Sequence, residues 1–353
     1  MKQNSRWKNR PPGSNWGDFG EDDQLGRLNL IDADKVKQGI AEVIHGQSFC
    51  LSLPLDYPGG NALNPRRFPP VLRPTRRAKQ PNLNYRLVVD DPNCTDVISD
   101  DLAILHLQYS TQWDGFAHVG SMFDANGDGI PEPVYYNGFR AGTDIVGPTD
   151  LNDSGVFDFS IIPQRSTSHA KVLGIENFAV KCMQGRAVLI DLFAHFGRER
   201  VHVTNKLLQE IIQKDQIKIE PGDMVCLHTG FDEVLLEMGK NPDIHVLENS
   251  CAVLEGRDPD LLQWITDSGL SALIADNYAV EAHPASAQAG PCATLPLHEH
   301  CLFKLGIPLG ELWYLSPLAE WLRKNQRHRF LLTAPPLRLP GAIGSPATPI
   351  ATV

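Results

Sequence analysis

Three short apolar runs in the second half of the chain, Ala187–Leu192, Met224–His228 and Leu270–Ala275, constrain the fold most. Each is too short for a core helix and lacks the alternation of a half-solvated strand, so each predicts a strand buried on both faces. Between them, Thr204–Lys214 brings Leu207, Leu208, Ile211 and Ile212 to one helical face behind a capping threonine. Asp260–Thr266 is also helical, Leu297–Lys304 predicts a helix closed by Gly306, and Ile307–Leu315 returns as a strand. Buried strands alternating with helices predict an α/β fold.

The first half is richer in strands and loops. Ala33, Val36, Ile40 and Val43 predict a helix over Asp32–Val43, while Gln47–Leu55 and Leu102–Trp113 read as strands. Residues 58–81 and 124–163 are aperiodic and dense in Pro, Gly, Arg or Asp. Segments of that size in a compact domain serve as lids or binding loops, so both are expected to line the pocket. Residues 1–24 read as an extended arm suited to contacts between subunits, and residues 25–353 as a single catalytic domain without linker or repeat.

Charge and cysteine content narrow the function. With 32 Lys and Arg against 42 Asp and Glu, the net charge is −10, which gives nucleic acid nothing to bind. The densest basic stretch, Arg73–Lys79, reads as a solvated loop. The 7 cysteines are scattered without a CxxC pair, which argues against a thiolate zinc site or redox motif and for a reduced, intracellular protein. Neither a signal-peptide core nor a membrane-length apolar stretch is present, so a cytoplasmic enzyme acting on a small molecule is expected.

The segment His106–His118 carries the most chemistry. On a strand, Gln108, Ser110, Gln112 and Asp114 share one face, and their oxygen atoms suit a divalent cation. Gly115 ends the strand and lets His118 fold back beside Asp114, where an imidazole can exchange protons. A polar edge strand with a surface histidine would show the same pattern. Further on, His298 and Glu311 lie across a helix-to-strand return and can converge on one ion; His298 and His300, two apart, cannot face the same site. Asp124-Ala-Asn-Gly-Asp-Gly129 imitates half of a calcium-binding loop, but Tyr135 stands where the bidentate Glu belongs. No nucleophile elbow, dinucleotide fingerprint or phosphate loop occurs.

Thr111-Gln-Trp-Asp-Gly-Phe-Ala-His118 resembles the long-chain variant of the signature of the kynurenine-formamidase-like cyclase family, which includes isatin hydrolases. The likeness continues through Trp16-Gly17, Gly26–Asn29, Tyr135–Gly138, Gly185–Asp191, Gly222–Gly230, Ala275–Glu281, His298–Glu311 and Gly344–Pro349. It implies a swivelling β/β/α-type domain with a central mixed sheet flanked by helices, assembled as a homodimer or homotetramer. It also implies a metal site at Asp114, His298 and Glu311, with His118 as general acid/base. Gln108 and Gln112 stand where short-chain members place histidines, so the ligand set becomes oxygen-rich. Such a set favours Mn²⁺ or Mg²⁺ over Zn²⁺, although Zn²⁺ stays a candidate.

The expected reaction is metal-assisted hydrolysis of an amide-like C–N bond in an N-acyl aryl amine or cyclic amide, with Asp114 and His118 at its centre and Tyr136 contacting substrate; Trp113 and Phe116, beside the ligands, either stack on an aromatic substrate or pack the core. The alternatives are a lactone hydrolase or a cyclase or dehydratase, metal-independent if His118 and Asp114 suffice, and a catalytically silent binding protein.

Overall fold

Doubly buried strands need partners on both edges and cover on both faces, and the chain supplies both. The computed structural model describes residues 6–150, 153–155 and 166–353. Its centre is a nine-stranded mixed sheet. The strands are β1 (Ser48–Cys50), β2 (Gln112–Asp114), β3 (Gln184–Asp191), β4 (Met224–His228), β5 (Ala272–Ala275), β6 (Leu309–Glu311), β7 (Arg329–Thr333), β8 (Gly344–Pro346) and β9 (Ile350–Thr352). Their spatial order is β1-β9-β7-β3-β4-β5-β6-β2-β8. The three apolar runs form the neighbours β3, β4 and β5, which run parallel with β6. Antiparallel strands close both flanks. The expected α/β architecture with a central mixed sheet is the one observed.

Helices cover this sheet. α1 (Ala33–Ala41) is capped by the Asp32 side chain, which accepts from Lys35 N at 2.9 Å. It lies tightly on β3 at Gly39, where an added Cβ would come within 2.8 Å of the Gly185 backbone. α2 (Asn205–Lys214) starts after Thr204, but the hydroxyl does not cap it; Asp258 accepts from Asn205 N at 2.7 Å instead. α3 (Phe231–Glu237) follows β4, and α4 (Pro259–Ser268) precedes β5. α5 (Pro296–His298) continues as a π-helical turn over Glu299–Leu305 and ends on left-handed Gly306 (φ 56°). α6 (Ser316–Lys324) leads to β7. A buried ion cluster ties α1 to the sheet: Asp223, fully buried, accepts from Lys35 and Arg186, each at 2.9 Å.

Three expectations need correction. Leu102–Trp113 is not one strand; Asp101–Ile104 pairs with Val71–Pro74, a turn follows, and only Gln112–Asp114 enters the sheet. Gln108 and Ser110 therefore sit in the turn, off the strand face assigned to them. The arm is not free either. Trp16 is fully buried and donates to Phe303 O at 2.8 Å, so the described part of the arm packs on its own chain. Of the two aperiodic segments, residues 58–67 do border cavities near Gln108. Beyond them Val71–Pro74 pairs with Asp101–Ile104 as a two-stranded ribbon in place of the expected aperiodic loop. In the second segment, Ser121–Phe123 and Glu132–Val134 form a hairpin. Residues 151–152 and 156–163 lie outside the described part. Asp124 caps its own loop, accepting from Gly127 N and Gly129 N at 2.8 and 2.9 Å. No described helix is long and apolar enough to cross a membrane.

Candidate metal centre

Antiparallel register places paired residues on one face, and here it builds the site. β2 lies between β6 and β8, with Gln112 opposite Glu311 and Asp114 opposite Leu309 and Gly344. Gln112, Asp114 and Glu311 consequently point the same way. Gln108 reaches this face from its turn: a Cβ at Gly344 would collide with its side-chain amide, so the missing Cβ makes room for Gln108 beside Asp114. Arg67 holds the turn by donating to Gln108 O at 2.6 Å.

α5 closes the site. His298, 2% exposed, directs Nε2 to Glu311 Oε1 at 3.1 Å and to Asp114 Oδ2 at 3.9 Å. One ligand atom from each of Asp114, His298 and Glu311 lies within 4.8 Å of the others. His300 points elsewhere and bonds Thr266 Oγ1 at 2.9 Å. Gln112 Nε2 donates to Glu311 Oε2 at 3.0 Å, while its Oε1 has no partner among the described residues. Both carboxylate oxygens of Asp114 are likewise buried without a hydrogen-bond donor. His118 stands 3.8 Å from Asp114 Oδ1, its side chain 20% exposed, and borders an open groove with Ser121, Thr294 and Glu299.

The electrostatics follow from this crowding. Burial raises the pKa of Asp114, and the nearby Glu311 charge adds to the rise against the opposing pull of His118. Burial works the same way on Glu311, but the His298 hydrogen bond and charge outweigh it and hold that carboxyl below its usual value. Burial disfavours protonated His298, yet its bonds to Glu281 and Glu311 raise its pKa to about 10. Without a cation, a proton sits where His298 faces Glu311.

Glu281 is the residue that sequence reasoning missed. Fully buried, it accepts from His298 Nδ1 at 2.8 Å, His298 N at 3.0 Å and Leu297 N at 3.0 Å. Its bond to Nδ1 aims Nε2 at the two carboxylates, the arrangement that orients metal-binding histidines. A glutamate inside the apolar run Ala279-Val-Glu-Ala282 was the available signal. Arg67 and Tyr278, both within electrostatic range of Glu311, carried none.

The aromatic assignments are corrected by the geometry. Trp113, Phe116 and Tyr136 are fully buried. Trp113 points to the opposite face of β2, donates to Ala334 O at 2.8 Å and meets Trp313 edge-on at 5.0 Å. Phe116 packs between Phe178 and Tyr136, whose hydroxyl faces Asp23 at 3.4 Å. Strand alternation puts Trp113 in the core because Gln112 and Asp114 take the site face, so none of the three offers surface to a substrate.

A second cluster, His228, Asp232 and Asp276, has the same residue types at similar spacing. Its oxygens are already satisfied: Asp276 accepts from Thr229 Oγ1 and Gly230 N, each at 2.7 Å, and Asp232 from Leu315 N and Ser316 N at 2.7 and 2.8 Å. That cluster ties the end of β4 to β5 and α6. Only the first leaves oxygens unanswered.

A family model described as "Putative cyclase" matches residues 51–282. Its span stops before His298 and Glu311. A crystal structure described as a novel cyclase aligns over 98% of this chain and 100% of its own, with a TM-score of 0.71 and 28% identity. An isatin hydrolase bound to the product analogue thioisatinate aligns over 91% and 99%, with a TM-score of 0.51 and 12% identity. Isatin hydrolase A from Labrenzia aggregata aligns over 86% and 93%, at 0.51 and 11%. At such identities the isatin hydrolases share the fold alone. No curated protein matches the sequence.

Proposed function

The chain belongs to the cyclase family, and from that premise we propose that it is a metal-dependent hydrolase of amide-like C–N bonds, acting on an N-acyl aryl amine or cyclic amide. One observation carries the metal: Gln112 Oε1, Asp114 Oδ1 and Asp114 Oδ2 are buried acceptors with no donor, grouped with His298 and Glu311. An unanswered buried acceptor costs about 1–3 kcal/mol, and a divalent cation answers all three at once. The residues therefore fit the metal that the resemblance implies. Asp114, His298 and Glu311 would hold it, with the Gln112 amide oxygen adjoining and Gln108 beside Asp114. One nitrogen among oxygens favours Mn²⁺ over Zn²⁺.

When bound, the ion supplies Lewis-acid polarisation of a carbonyl and acidification of a water. The remaining work falls to the chain. Glu281 keeps the Nδ1 proton of His298 and frees Nε2 for the site. Among the described residues, His118 is the titratable side chain that both approaches Asp114 and borders the open groove. It takes a proton from the attacking water and returns one to the leaving nitrogen.

The test is elemental analysis of the purified protein, with a turnover screen of N-formyl anilines, isatins and lactones before and after chelation. Stoichiometric metal and chelator-sensitive amide hydrolysis are expected. Turnover of lactones alone, undiminished by chelation, would replace this reading with metal-free acid/base chemistry by His118 and Asp114. A metal-loaded protein that binds these compounds without turning any over would favour a silent binding role.

A further inference from the structure

Beyond Tyr278, away from the buried carboxylates, lies a cavity of about 210 Å³. Its lining includes Asn277, two residues after the end of β5, whose backbone oxygen accepts from Leu312 N at 3.1 Å. Leu312 follows Glu311, so the cavity opens at the carboxyl ends of β5 and β6, one strand from the candidate metal centre. In sheets of parallel strands, that end is where ligands sit. Tyr278 walls the cavity and lies within electrostatic range of Glu311.

Two polar groups in this cavity lack what their chemistry requires. Asn277 is 2% exposed; its Nδ2 donates to Ala252 O at 3.1 Å, and its Oδ1 is buried without a donor. Arg200 is half-buried, and its one hydrogen bond is a long one, 3.5 Å, to Ser250 O. Burial lowers its pKa, and among the described residues no carboxylate pairs with it; Glu248, on the same rim, acts on it only at a distance. Phe231, Leu247 and Leu63 supply apolar wall between them.

We propose that this cavity is the substrate's recognition pocket, built for a small aromatic carboxylate whose anion pairs with Arg200 and whose N–H donates to Asn277 Oδ1. The reading deepens the reaction proposed above and rests on it for the word substrate. Size fits the ligand: an apolar cavity of about 150 Å³ takes benzene, so 210 Å³ accepts one ring with a carboxylate. The guanidinium fork suits a carboxylate in particular, since it donates two parallel bonds. The substrate's amide would then extend past Tyr278 toward Glu311 and Asp114.

The test uses the full chain and does not depend on turnover. Binding of benzoate, its neutral isostere benzamide, and 2-aminobenzoate is measured calorimetrically on wild type, Arg200→Met and Arg200→Lys. Melting curves check that each variant is folded. Benzoate should bind wild type about 10- to 100-fold more tightly than benzamide, the usual reach of a charge-assisted bond. Arg200→Met should abolish that preference, Arg200→Lys should keep part of it, and aminobenzoate should bind more tightly than benzoate. Equal binding of benzoate and benzamide, or a benzoate preference that survives in folded Arg200→Met, overturns the proposal. Turnover separates the two readings. Arg200-dependent benzoate binding without hydrolysis of any formyl aminobenzoate keeps the pocket and removes the reaction. Hydrolysis of formanilide with no gain from a ring carboxylate keeps the reaction and removes the pocket.

Discussion

Replacing Glu281 with Gln should weaken metal binding about 10- to 100-fold, the usual worth of a carboxylate behind a ligating histidine. The structure shows why so conservative a change matters. Two oxygens of Glu281 face three donors: His298 N and Nδ1 on one, Leu297 N on the other. Glutamine keeps the shape but turns one oxygen into an amino group. In either orientation, a buried donor faces another donor, at about 1–3 kcal/mol. The lost charge also weakens the hold on Nδ1–H and makes Nε2 a poorer ligand. Together these account for about 1.4–2.8 kcal/mol of metal affinity. Competition against a chelating dye, with Mn²⁺ and then Zn²⁺, measures that quantity, and melting of the metal-free protein measures the fold separately. A variant that melts lower yet binds metal within twofold of wild type would refute the reasoning. Glu281 would then only pin α5, and His298 would not be a ligand.

The other variants separate chemistry from scaffold. His118→Ala should lower kcat by about 10²–10⁴ with metal content unchanged, read by steady-state kinetics and elemental analysis. Asp114→Ala should lower metal content and activity together while raising the melting temperature of the metal-free protein, because it removes two unanswered buried oxygens. Asp223→Ala should cost about 3–5 kcal/mol in urea unfolding, since it strands the buried Lys35 ammonium and leaves Arg186 with Glu220 alone. His298 sets a pH dependence: its pKa rises from 6.5 to about 10 on folding, so its contribution is full below 6.5 and lost as pH climbs through 10. The metal-free protein should therefore melt progressively lower from pH 7 to 10, and His298→Gln should flatten that slope.

The fold was legible where burial alone decides the pattern. Ala187–Leu192, Met224–His228 and Leu270–Ala275 became the middle of the sheet because a doubly buried strand has no other way to be written. The turn before β2 was not legible. Leu102–Trp113 contains enough apolar residues for one strand, and only the long-range pairing of Asp101–Ile104 with Val71–Pro74 interrupts it. The Thr204 cap failed for a related reason: a threonine before a helix is a local signal, and Asp258 replaced it from far along the chain. Among the candidate site residues, the sequence pointed to Asp114, His298 and Glu311 through motif resemblance; the sheet register brings Asp114 and Glu311 together, and α5 adds His298. Of the two readings open for Trp113, the core one holds, because strand alternation sends sequence neighbours to opposite faces.

The two glutamines make this site more than a short-chain site with ligands missing. Gln112 does two things from one side chain: Nε2 donates to Glu311, and Oε1 faces inward with the free oxygens of Asp114. An imidazole has two ring nitrogens of fixed divergence and cannot donate to Glu311 while presenting an oxygen beside it. Gln108 is tied in separately, through Arg67 on its backbone oxygen and through the space that Gly344 leaves for its amide. A histidine at position 112 that kept an N–H on Glu311 would therefore present only its other ring nitrogen, and the neutral oxygen would be lost. The turn, Arg67, Gly344 and both glutamines form one arrangement. That arrangement supplies neutral oxygens where the resemblance implies imidazoles, and it leaves the charge of the site to Asp114 and Glu311.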